Sequence, residues 1–141
     1  MTPTLTETKR EVPQVPQIEV AWTPPTARPM SSGAAVGALL AAMLGMLALA
    51  IVNVIAEASE AFAATLHGLG KMWMPGAAGI GPYSGKETVG LVVWLLSWIV
   101  LHPALREKEP NMGRWLVVFL IGVGVATTLL WPPVYTFLAG H

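Results

Sequence analysis

Apolar and polar positions alternate along this chain in long blocks. Three apolar runs, about Gly33–Ala56, Thr88–Leu105 and Trp115–Leu138, are separated by short segments that hold nearly all the remaining charge. Each run is close to the roughly 20 residues that a helix needs to cross the hydrocarbon of a bilayer. Only a helix satisfies its own backbone in that medium, so the pattern predicts an all-α integral membrane protein with three transmembrane helices. Polarity continues past the first run on one helical stripe, through Asn53, Glu57, Glu60, Ala64 and His67, so the helices are placed at about 33–68, 85–105 and 113–138. Ser84 followed by Glu87 has capping-box spacing and puts the second start near Ser84, and Asn111 is a candidate cap for the third.

Residues 1–32 are different in kind. Six prolines and scattered polar residues predict an extended, proline-rich arm with no fold of its own, followed by a three-helix transmembrane domain over 33–141. No basic region with a short apolar core precedes the first run, which is therefore expected to act as a signal-anchor.

Composition narrows the function classes. Of 141 residues 11% are charged and the mean hydropathy is +0.60, a membrane composition. Eight lysines and arginines balance eight glutamates, and aspartate and cysteine are absent. That balance gives nucleic acid nothing to bind, and without cysteine there are no thiolate metal sites, iron–sulfur clusters or thioether-linked haem. Lys9, Arg10 and Arg28 precede the first run and Arg106, Lys108 and Arg114 lie between the second and third, whereas Lys71 and Lys86 fall in the loop between the first two. The positive-inside rule then predicts a cytoplasmic N-terminus and an outside C-terminus, in a bacterial inner membrane. Trp73, Trp131 and Tyr135 at one boundary and Trp115 at the other fit interfacial aromatic belts.

Small residues mark the packing faces. Gly33, Gly37, Ala41 and Gly45 recur every fourth residue, as do Gly122 and Ala126, and such ladders admit a close helix from this chain or another.

Candidate chemistry is sparse. Glu57, Glu60 and His67 carry metal-donor atoms along one stripe, but at 1.5 Å per residue His67 is about 10 Å beyond Glu60, and a single helix cannot close that site. The reading that fits better is a helix leaving the hydrocarbon, with its glutamates solvated or paired with a partner. His102 shares a face with Trp94 and Trp98 and is a candidate haem or pigment ligand beside its alternative as an interfacial anchor, and His67 is a second such candidate. A bis-histidine haem held by this chain alone is disfavoured, because His67 and His141 both belong to the side opposite His102. The segment "GPYSGKE" lacks the spacing and the hydroxyl of a phosphate-binding loop. Trp22, Met72, Trp73 and Met74 are apolar residues in irregular segments and suit docking onto a partner.

The expectation is a non-catalytic accessory subunit of a large membrane complex, of energy-transducing or oxidase type: respiratory, photosynthetic or copper membrane monooxygenase. No interior ion pair and no complete catalytic set is apparent in the sequence. The expected partners are larger membrane subunits and lipid, with no cofactor held by this chain alone beyond a shared haem or pigment contact. The alternatives are a cofactor-binding electron-transfer or pigment subunit using His102 or His67, and a small homo-oligomeric transporter or channel.

Overall fold

The computed structural model describes residues 31–76 and 79–140, and all regular structure among them is helical. The elements are α1 (Ser32–Ala58), α2 (Glu60–Lys71), α3 (Tyr83–Leu105), α4 (Met112–Leu130) and α5 (Pro132–Ala139). Helices α1, α3 and α4 have 27, 23 and 19 residues and are long and apolar enough to cross a membrane, which makes the chain an integral membrane protein. The arm up to residue 30, including Trp22, lies outside the described residues.

Helix α1 is the centre of the layer. Its small-residue ladder faces α3: a methyl group added at Gly45 would lie 2.7 Å from Trp94 Cβ and 3.1 Å from the Gly90 carbonyl oxygen, and one at Gly37 would lie 3.3 Å from the Leu101 carbonyl oxygen. At Gly33 the methyl would run into the Leu105 carbonyl oxygen. The partners Gly90, Trp94, Leu101 and Leu105 themselves form one stripe of α3, so two antiparallel helices meet backbone to backbone. Ala41 is fully buried in this ladder. Met43, two residues from Ala41 and so about 200° round the helix, covers Gly122 of α4, where Ala126 is also fully buried. Both ladders thus pack the chain's own helices together.

With α3 and α4 on opposite sides of α1, the three spans form a thin layer instead of a closed bundle. The share of each span that is buried is 44% for α1 but only 6% for α3 and for α4. The apolar surface of the two flanking helices is available to lipid or to another protein.

Hydrogen bonds clamp one end of the layer. The Ser31 hydroxyl donates to the Arg106 carbonyl, the Ser32 hydroxyl reaches Glu109 Oε2 at 3.1 Å and the Pro110 carbonyl at 3.2 Å, and the Gly33 amide donates to the Lys108 carbonyl at 3.2 Å. One of the free amides of the first turn of α1, that of Gly33, is satisfied there, and the Glu109 carboxylate stands at the positive end of the helix dipole. Asn111 caps α4, its Oδ1 accepting from the Arg114 amide at 3.0 Å.

Three boundaries differ from the sequence pattern. The helix expected over 33–68 breaks at Ser59, whose backbone is extended at φ −145° and ψ 107°. Its hydroxyl accepts from the Phe62 amide at 3.3 Å, so a residue that looks like mid-helix is the N-cap of a second helix. Glu60 in the first turn of α2 and Lys71 in the last match the new dipole. Ser84 is not a cap: α3 starts at Tyr83 behind Pro82, which is already helical at φ −78°, and Ser84 is fully buried in the first turn. The third span ends at Leu130, because the residue before a proline is steered out of the α region, and Trp131 is extended ahead of Pro132 and Pro133. Those prolines open α5, which folds back onto α1.

Candidate functional site

Where α1 ends, two of its polar side chains converge on α3. Asn53 and Glu57 are four residues apart on one face. Across the seam, Lys86 in the first turn of α3 donates to Asn53 Oδ1 and to Glu57 Oε1, both at 2.9 Å. Its ammonium also lies 5.2 Å from the centroid of the Tyr83 ring, a cation–π distance. The lysine side chain is 4% exposed and the glutamate 38%. An ion pair with a buried lysine therefore exists where the sequence showed none: Lys86, assigned to a loop, is sealed in α3, while Glu57, expected to be solvated or paired with a partner, is paired within the chain.

The site's depth follows from helix rise. From the clamp at residues 32 and 105, about 20 residues at 1.5 Å each cover the roughly 30 Å of hydrocarbon and end near residue 52 on α1 and residue 85 on α3. The pair thus lies at the far hydrocarbon boundary, where a buried ammonium has no water and needs a fixed counter-charge.

Close packing holds the site. A methyl at Gly85 would strike the Leu66 carbonyl oxygen of α2, and one at Gly70 would strike the Ser84 hydroxyl, so α2 lies directly on the first turn of α3. Leu66, Val52 and Ala56 form a small buried core beside the pair, with Phe62, Ala63 and Val89 packed on it. Trp73, 52% exposed, is tied to α3 by its indole N–H, which donates to Thr88 Oγ1 at 3.1 Å. Met72 is 82% exposed and Met74 half-buried.

The other candidate residues are dispersed. Glu60 is exposed on α2, beyond the Ser59 break that separates it from Glu57. His67 is half-buried on α2. Among the described residues no three of the His, Asp or Glu side chains are grouped as metal ligands would be, and Glu57 stands on a different helix from Glu60 and His67. His102 is half-buried in the last turn of α3, its ring 5.4 Å from that of Trp98 and inclined at 39°. Since α2 packs on the first turn of α3, His67 and His102 are separated by most of that helix, about 25 Å of rise, and cannot share one ligand.

Lys86 was missed as a site residue because its neighbours, glycine and proline, resemble those of a loop. The usable signal was the pair Asn53 and Glu57 at i, i+4 on the same apolar helix, two acceptors that need a donor. The chain matches no protein-family profile, no curated protein and no solved structure.

Proposed function

We propose that this protein is a non-catalytic accessory subunit of a larger membrane complex, its layer of helices covered in part by larger subunits. The observation that carries the reading is the far end of the layer. Met72 at 82% exposure stands in the connection between α2 and α3, outside the three spans, with Trp73 and Ile80 also exposed there, and Phe137 at 80% exposure lies on α5 past the end of α4, turned away from the rest of the chain. The burial of only 6% of α3 and α4 supports the same reading, because a thin layer offers wide faces and no enclosed chamber for chemistry. The ion pair is a structural lock in this account: it joins the ends of α1 and α3, with the lysine sealed and the glutamate partly open at the interface. By architectural analogy, the complex is of the energy-transducing or oxidase kind, whose catalytic cores are accompanied by small helical subunits.

We place the chain in a bacterial inner membrane with its N-terminus in the cytoplasm. Ser31 and Ser32 bond to the 106–110 segment, so the start of α1 and the basic α3–α4 connection lie at the same end of the layer, which supports this reading. With Lys86 neutralised by Glu57, only Lys71 remains as an unburied basic residue of the opposite segment, which sharpens the charge asymmetry that orients the chain.

The test is native electrophoresis of membranes solubilised in mild detergent, with mass spectrometry and optical spectra taken on the band that holds this chain. Co-migration with larger membrane subunits is the expected outcome. A small homo-oligomeric band without partners would refute it in favour of a channel, and a small band with its own haem or pigment absorbance would move the function to His102.

A further inference from the structure

Beside the ion pair, on the outer surface of the α1–α3 seam, runs an open groove of about 420 Å³. It exists because the helices cross at Gly45 and Gly90, which have no side chain, and at Ala42, which has one methyl; Met46 and Trp94 border it. Its lining is apolar with one ionisable exception, Glu87, at the end nearest the far membrane boundary. Glu87 is exposed, and among the described residues its carboxylate has no hydrogen-bond or ion-pair partner, since the adjacent Lys86 is committed to Glu57 and Asn53.

We infer that this groove binds one membrane lipid with a primary ammonium headgroup, of the phosphatidylethanolamine class, its acyl chain in the groove and its ammonium on Glu87. Three features fix the chemistry. From Glu87 to Trp94 the groove follows α3 for seven residues, about 10 Å, which is most of the roughly 15 Å depth of one leaflet's hydrocarbon. The carboxylate lies at the headgroup end of that path and the apolar lining continues inward, which is the polarity of a lipid. A lone carboxylate selects a cation, and a primary ammonium adds charge-assisted N–H donors that a quaternary ammonium lacks. A second apolar groove, lined by Leu44, Leu96, Ser97, Val100 and Leu101, has no charge to select a headgroup. The inference concerns the chain's own surface and does not depend on the subunit reading.

Native mass spectrometry of the purified full chain in detergent, titrated with phosphatidylethanolamine, phosphatidylcholine or phosphatidylglycerol of identical acyl chains, tests it. We expect phosphatidylethanolamine to be retained about threefold over phosphatidylglycerol, the discrimination of an exposed ion pair, with phosphatidylcholine between them. Glu87→Gln, an exposed change that leaves the packing intact, should erase the difference. Ala42→Phe, which fills the groove, should lower retention of all three at unchanged helicity. Equal retention of the three lipids by the unmodified chain, a preference for phosphatidylglycerol, or a selectivity that survives Glu87→Gln would overturn the assignment.

Discussion

Replacing Glu57 with alanine should destabilise the helical layer by about 3 kcal/mol, the low end of what an uncompensated buried charge costs. The reason is the unequal exposure of the two partners. Lys86, at 4%, has nowhere else to place its ammonium once the carboxylate is gone, and Asn53 can offer only a neutral acceptor. Glu57, at 38%, retains access to the interface when the lysine is removed. Lys86→Met should therefore cost less than about 1 kcal/mol, because it removes the sealed charge, fills its volume and leaves the carboxylate free to be solvated at the interface. Adding Glu57→Ala to Lys86→Met should cost little more, giving a coupling energy of about 3 kcal/mol in magnitude in the double-mutant cycle. Reversible denaturant unfolding in detergent, followed by helical circular dichroism, measures all three. Equal losses from both single changes would mean that the lysine is not sealed as the geometry has it.

The second large effect is at the crossing of α1 and α3. Gly45→Leu should cost about 3 kcal/mol, the upper range for overpacking, because the first added carbon already meets Trp94 Cβ at 2.7 Å and the Gly90 carbonyl oxygen at 3.1 Å, neither of which can swing aside. Gly122→Leu should cost less, since it meets the flexible thioether of Met43. At Gly124, two residues on and facing open space, nothing lies within 4 Å and leucine should be nearly neutral. The same unfolding assay ranks the three. A Gly124 variant as damaging as the Gly45 variant would mean that the small residues act through helix flexibility and not through close approach.

Which parts of this were legible in the sequence follows from the range of each interaction. The spans were legible because bilayer thickness and backbone satisfaction act on every residue of a run. Asn111 was legible as a cap because capping is local and nothing nearby competes with it. Ser59 was not: its apolar and polar neighbours continue a helical stripe, and only the packing of α2 on Gly85 and Ser84 makes a break at that serine favourable. Ser84 misled for the converse reason, since Pro82 starts the helix before the serine is reached. Lys86 was hidden most completely. Twenty-nine residues separate it from Glu57, and its burial comes from an antiparallel register that the glycine ladders set and that one-dimensional spacing does not contain. The ladders were visible as packing faces, but their choice of α3 and α4 as partners required the fold.

The proposed accessory role is tested most directly by a photoreactive amino acid placed at Met72 and, separately, at Phe137, with illumination of intact native membranes and analysis of the adducts by mass. The account predicts discrete adducts with larger membrane proteins from both positions, because both exposed side chains are covered in the assembled complex. Adducts with lipid alone at both positions, or with a second copy of this chain alone, would contradict it.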